Sequence, residues 1–355
     1  MKEVLQNGLP GLHLFSSGRS WENAFAGAVE FLEAHPNGLL ILGPAIGDTG
    51  KFWLEDALLA RRPMRLGNQI AEWKEWVKGR ARVKALAAGK PFRLFNQASQ
   101  REYFQIRLAK LEEAGFLPTL NGLWREERFF SALLECVAEG RLAGLDQYEA
   151  TERARDLLGA GLDPVQRESY EDFWRLLVDF EDQREAHDFA SLLRLAAGSG
   201  EQEVYLLGFD RLSLLEAELV QSLAVNRPVY LPLAASTDEL RSAAKGAEPE
   251  TTCQLLVRTL ATGFSGALKI HEAPEPKPDQ ERHFLMEAHT PEEEARAAAA
   301  FGKQLLHQGR PVRYVLPKGA LEDLGPVMSE ELALPVFYAR RVLSHPVARL
   351  FFHAL

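Results

Sequence analysis

The stretch Leu39–Phe52, LLILGPAIGDTGKF, narrows the folds open to this chain more than any other segment. Leu39–Leu42 is a continuous apolar run, the pattern of a short strand buried on both faces. Gly43 and Pro44 end it, and a turn containing Gly47 and Gly50 leads into a predicted helix from about 52 to 61. Strand, glycine turn and helix are the frame of a phosphate-binding loop, G-x-x-x-x-G-K-[ST]. The match fails at the atoms that hold nucleotide. In the aligned stretch Ala45 replaces the first glycine and Phe52 replaces the hydroxyl residue, whereas Gly50 and Lys51 remain. Phenylalanine has no oxygen to give a magnesium ion.

The same alternation recurs on either side of a long helical stretch. Leu12–Ser16, Glu203–Asp210, Pro228–Leu233 and Ala267–Ile270 read as strands, with helices expected at 20–33, 214–223 and 251–262. Residues 236–246 read as loop or weak helix. From about 68 to 195 apolar residues recur every three or four positions, as in 100–114, 124–140, 148–158 and 165–180. Ala273–Gln280, APEPKPDQ, is polar and proline-rich, and reads as a linker. Beyond it, strands are expected at 283–288, 312–316 and 335–338. A well-capped helix is expected to begin at Thr290-Pro291-Glu292-Glu293. The predicted architecture is α/β, with mostly parallel sheets covered on both faces. A first α/β domain comprises residues 1–67 and 196–272, a helical domain of 68–195 is inserted into it, and a second α/β domain starts at 281–355. The sequence ends within an apolar helix, VARLFFHAL, which points to a longer parent protein.

Composition limits the function classes. The chain has 355 residues, 46% of them hydrophobic, and a formal net charge of -9. Overall acidity argues against a non-specific nucleic-acid coat but leaves room for a local basic groove. Lys74, Lys78, Arg80, Arg82, Lys84, Lys90 and Arg93 form the densest basic cluster, which reads either as a solvated helix face or as a phosphate-contacting surface. Cys136 and Cys253 provide neither a disulfide framework nor metal-ligand spacing, and no histidine group has that spacing. No metal site is expected. The first residues do not read as a signal peptide and no apolar run reaches spanning length, so a cytoplasmic protein without membrane contact is expected.

Four segments in this order resemble the N-terminal, helicase-like half of AddB/RecB-type subunits of bacterial helicase–nuclease complexes, the inactivated superfamily I helicase group. They are LLILGPAIGDTGKF, VYLLGFDRLSLLEAELVQSLA at 204–224, EAHTPEEEARAAAAFGKQLLHQGRPV at 287–312 and LALPVFYARRVLSHPVARLFFHAL at 332–355. The resemblance implies a P-loop NTPase-like, superfamily I helicase-like fold of parallel sheets with a helical insertion. It also implies a place in DNA double-strand break repair and recombination, and a nuclease domain beyond residue 355.

By that resemblance Lys51 matches the phosphate lysine, Gly47 and Gly50 keep part of the loop's freedom, and Asp210 matches the acid that holds magnesium. Asp210 alternatively serves as a turn or helix cap. Arg211 stands where an active helicase places glutamate. Asp48 would repel a polyphosphate. The degenerate site of Gly47, Gly50, Lys51 and Asp210 is therefore expected to take no ATP or magnesium and to catalyse nothing. Nuclease chemistry is not expected either, because Glu292, Glu293 and Glu294 are consecutive at a helix start and suit its dipole. The implied partners are single-stranded DNA and a catalytic helicase–nuclease subunit. Lys74, Trp76, Arg80, Lys84 and Arg93 are the candidates for DNA contact through charge and stacking. The alternatives are an interaction scaffold that does not touch DNA and a weak ATPase with an atypical loop.

Overall fold

The computed structural model describes residues 5, 8–17, 21–46, 54, 70–116, 118–120, 122–145, 161, 163–182, 187–200, 202–272, 290–307 and 326–327. The chain divides into two units, Met1–Pro276 and Lys277–Leu355. The division falls within the proline-rich segment expected to be a linker.

The first unit is built on six parallel strands: β1 (Gly11–Ser16), β2 (Leu39–Leu42), β3 (Ile70–Glu72), β4 (Val204–Leu207), β5 (Pro228–Leu233) and β6 (Leu268–His271). Their order is β3-β2-β4-β5-β1-β6. β1, β2, β4 and β5 are buried along their whole length, which is why they read as unbroken apolar runs. β3, only three residues long, went unread within the helical stretch.

Parallel neighbours need crossovers, and right-handed crossovers put helices on opposite faces when the chain reverses direction across the sheet. From β1 to β2 the chain moves towards the β3 edge, and α1 (Trp21–Ala34) covers one face. Ala24, Ala28, Phe31 and Leu32 of α1 pack there with Phe15, Leu40, Tyr205 and Tyr230. From β3 onward the chain moves the other way. The opposite face is covered by α2 (Trp73–Ala87), α6 (Phe189–Ala196), α7 (Leu214–Ala224), α8 (Thr237–Ala244) and α9 (Thr252–Ala261). Capping boxes at Ser213, Ser236 and Thr251 start the last three of these. The one at Ser236 turns the weak signal at 236–246 into a defined helix.

Between α2 and α6 lie α3 (Gln97–Glu113), α4 (Glu127–Leu142) and α5 (Pro164–Asp182). They share a core of their own, in which Phe104, Leu108, Leu120, Phe130, Val137 and Leu176 are buried. Asp172 of α5 is fully buried beneath the loop joining α3 to α4. It accepts hydrogen bonds from the Thr119 amide (2.8 Å), the Thr119 hydroxyl (2.7 Å) and the Leu120 amide (3.4 Å). The helical stretch drawn at 68–195 thus encloses two helices, α2 and α6, whose apolar faces belong to the sheet. The expected helix at 148–158 lies outside the described residues.

In the second unit α10 (Pro291–His307) begins as expected. The Thr290 hydroxyl accepts a hydrogen bond from the Glu293 amide (3.2 Å), and Glu292, Glu293 and Glu294 occupy the first turn. The expected strands at 283–288, 312–316 and 335–338 and the terminal helix lie outside the described residues.

Candidate functional site

In open parallel sheets ligands bind beyond the carboxyl ends of strands, where neighbouring connections leave towards opposite faces. β2 and β4 are such a pair, and β5 and β1 are another. The first pair brings the turn after β2 beside the turn after β4.

The base of the β2 turn is closed. The Gly43 amide donates to the Leu207 carbonyl (2.7 Å), the Ala45 amide to the Gly208 carbonyl (3.2 Å), and the Ile46 amide back to Gly43 (3.2 Å). Gly208 has φ +83°, and a Cβ there would overlap the Ile46 side chain. A Cβ on Gly43 would overlap the Gly208 carbonyl. These glycines therefore serve to press two turns together, with Ile46 packed over the contact. In a phosphate loop the amides face the ligand. The amides of Gly43, Ala45 and Ile46, at the foot of the turn, are spent on neighbouring carbonyls. Gly47, Gly50 and Lys51 lie outside the described residues, as do Asp48 and Phe52; Leu54, just beyond, is buried in the α1-side core.

Asp210 is exposed at the end of the β4 turn. It does not cap α7. Ser213 takes that role, accepting from the Glu216 amide (3.3 Å) while Glu216 accepts from the Ser213 amide (2.9 Å). Glu216 also accepts from the Trp73 indole (2.7 Å), which ties the start of α2 to the start of α7. Cys253, in the first turn of α9, lies within reach of the Asp210 charge. Burial pushes its thiol up, and Asp210 and Glu239 add to this against a hydrogen bond from the Ala234 backbone. A thiol held protonated is a poor nucleophile.

The β5–β1 crevice is bridged by two serines that sequence reading passed over. The Ser16 hydroxyl donates to the Ala235 carbonyl (2.7 Å) and the Ser17 hydroxyl to the Leu233 carbonyl (2.9 Å). Their signal was an apolar run ending in two hydroxyl residues before an amphipathic helix. On its other side β5 parts from β4, because the ladder between them pairs only Val204–Val229 and Tyr205–Tyr230. The Leu233 carbonyl faces β1, so Pro232, one residue earlier, faces β4 with a nitrogen that carries no hydrogen.

The DNA-contact candidates separate into two groups. The Arg80 guanidinium donates to the carbonyls of Ala196 (2.8 Å), Gly198 (3.0 Å) and Ser199 (2.9 Å), and the Lys84 ammonium donates to the Ala197 carbonyl. Both therefore close the carboxyl end of α6. Burial and the Arg80 charge lower the Lys84 pKa. Trp76 stacks on Trp73 at 5.6 Å between ring centroids and packs against the sheet core, with Arg80 5.7 Å from its ring centre. Lys74 and Arg93 are exposed, and Lys74 sits 5.9 Å from the Phe189 ring centre.

Elsewhere, a shallow cavity of about 500 Å³ runs along α5 beside Pro118, with Arg167 and Arg175 offset by Glu168 and Glu171. Among the described residues no three His, Cys, Asp or Glu side chains converge as metal ligands, and no helix is long and apolar enough to cross a membrane. No family model and no curated protein matches the chain.

Proposed function

We propose that the chain is the helicase-like part of a subunit of a bacterial DNA helicase–nuclease complex. In this reading it has a P-loop NTPase-like, superfamily I helicase-like fold and no catalysis of its own, and it binds single-stranded DNA or a catalytic partner in double-strand break repair. In the fold, what supports the non-catalytic reading is the close contact of the turns after β2 and β4 at the foot of the loop, where Ile46 packs over Gly208 and the Gly43 amide is spent on Leu207. The sequence adds Phe52 where a magnesium-binding hydroxyl would stand and Arg211 after Asp210.

The test has two arms. Titration with ATP, with and without magnesium, should give neither binding nor turnover, and turnover abolished by Lys51→Ala would overturn the reading. Titration with single-stranded DNA at several salt concentrations should show affinity that falls steeply with salt, as phosphate contacts require.

A second reading, a scaffold that leaves DNA alone, is favoured by one observation. Arg80, Lys84 and Trp76 are committed to α6 and the sheet core, which leaves Lys74 and Arg93 exposed among the five candidates. Failure to bind single-stranded DNA even at low salt, with partner capture retained, would select it.

A further inference from the structure

The α1-side face of the sheet carries a histidine pair that the proposed function does not use. In the β1–β6 ladder His13 lies opposite Lys269 and Phe15 lies opposite His271, so His13 and His271 are diagonal neighbours. Their rings stack at 5.2 Å, and His13 Nδ1 is 3.1 Å from His271 Nε2. His13 Nε2 is 2.8 Å from the Leu9 carbonyl. A carbonyl can only accept, so His13 Nε2 carries a hydrogen. In neutral His13 the other nitrogen, Nδ1, is then bare and takes the Nε2 hydrogen of His271. The contact is complete with both rings neutral.

The surroundings oppose positive charge. His13 is 2% exposed. Lys269 of β6 acts on His271. From β1, Phe15 stacks on His271 at 4.9 Å, and from β5, Tyr230 lies 5.1 Å from His13. Behind Tyr230 are His35, which donates to the Leu5 carbonyl (2.7 Å), and Glu203, which acts on the phenol. Glu272 follows His271 and pairs with Arg241 of α8 at 3.5 Å. Among the described residues no carboxylate is hydrogen-bonded to either imidazole.

We propose that the His13–His271 contact is a pH-sensitive latch, which holds the edge strand β6 on β1 while the rings are neutral and releases it when both are protonated. A single proton can be shared through the Nδ1–Nε2 bond. A second leaves two cations 3.1 Å apart with no acceptor between them. Besides this contact β6 is held by its ladder to β1 and by Leu268 and Ile270, which pack against the core on the opposite face. It is four residues long, only half-buried and paired on one side, and the Arg241–Glu272 bridge lies between exposed side chains.

The direction in pH follows. Burial lowers the pKa of both rings, and for His271 the charge of His13 and of Lys269 brings it down to about 4. A histidine whose folded pKa lies below the ordinary 6.5 gives stability that is complete above that value and is lost as pH falls towards the folded pKa.

Hydrogen exchange on the full chain at about pH 7.5 and about pH 5, with rates corrected for intrinsic exchange, tests the latch. Protection of the residue 268–271 amides should fall roughly tenfold or more in the unsubstituted chain, the equivalent of one pKa unit. In His13→Phe/His271→Phe, which keeps the stacked rings, that protection should hold within about twofold. Unchanged protection in the parent chain, or an equal loss in the variant, would overturn the proposal. If the variant does not fold, ring-proton NMR of the parent chain decides. Both histidines should titrate below 6.5 with the β6 amide shifts following them; titration at 6.5, or β6 amides that do not respond, would refute the latch.

Discussion

Arg141 ties the helical insertion to α6 through a buried ion pair. It comes from α4 and has no exposed surface, yet it carries a full charge. Its Nε donates to Asp188 Oδ2 (2.7 Å) and its Nη2 to Asp188 Oδ1 (3.2 Å) and the Ser191 hydroxyl (3.3 Å). Asp188 in turn caps α6 by accepting from the Ser191 amide (2.9 Å). Removing one partner of a buried pair leaves the other uncompensated, so Arg141→Ala should cost about 3–5 kcal/mol in urea unfolding at neutral pH. Arg141→Met/Asp188→Leu should cost much less, since it removes both charges. Burial alone would raise the Asp188 pKa, but the Arg141 hydrogen bond and charge and the Ser191 contacts overcome it and hold the carboxyl below its ordinary value. That stability is present above the ordinary carboxylate pKa and is lost as pH falls through the lower folded value. In Arg141→Ala only the Ser191 contacts are left against burial, and protonation of Asp188 relieves the folded state. The gap between parent and variant should therefore narrow as pH falls; a constant gap would show that the charge pair is not its source.

At the scale of elements, α2 shows how one helix can look like a binding surface in sequence and act as a strut in the fold. Its basic residues recur at helical spacing, and the sequence leaves open where they point. The deciding partners lie more than a hundred positions away, because Arg80 and Lys84 meet the carbonyls of Ala196, Ala197, Gly198 and Ser199. A helix of eight residues exposes a large share of its carbonyls at its end, and two cations there satisfy them and suit the dipole. Arg80→Ala should lower stability by about 1.5–3 kcal/mol, the range of charged hydrogen bonds, and raise hydrogen exchange in 189–196. Lys74→Ala and Arg93→Ala should stay within about 0.5 kcal/mol of the parent in stability. If DNA is bound, these two exposed substitutions should reduce the salt dependence of binding, and equal losses of stability from all three would refute the division. Local pattern made other elements legible. β1, β2, β4 and β5 announced themselves by apolar runs, β6 by a short alternating segment, and α1, α7, α9 and α10 by periodicity and caps. β3 was missed because a strand of three half-exposed residues leaves no period to read. The Gly43–Gly208 contact was likewise unreadable, since it depends on two turns brought together by strand order and on Ile46 folding over them.

At the scale of the whole molecule, the described residues of the first unit form three apolar cores of different size and connection. Two lie on the faces of one sheet and share its strands, so neither can open without the other. The third belongs to the insertion and contains Phe104, Phe130, Leu133 and Leu176 but no strand residue. Beyond the chain itself, its ties to the sheet include the Arg141–Asp188 pair and Leu142, which reaches from α4 to pack on the sheet core. A body with its own core and few ties can open while the rest stays folded. Phe130, 1% exposed and 6.2 Å from the Phe104 ring centre, is the side chain to remove. Phe130→Ala should cost about 3–5 kcal/mol, and the loss should fall on the insertion. In urea, amides of 100–113 and 127–142 should lose protection at a lower midpoint than in the parent chain, while those of 204–207 and 229–233 keep theirs. The indoles give an independent reading, because Trp124 packs against the insertion's core whereas Trp73 is buried in the sheet core and Trp76 packs against it. A single transition, shifted equally for both sets of amides, would mean that Arg141 and Leu142 couple the insertion to the sheet strongly enough to make one cooperative body.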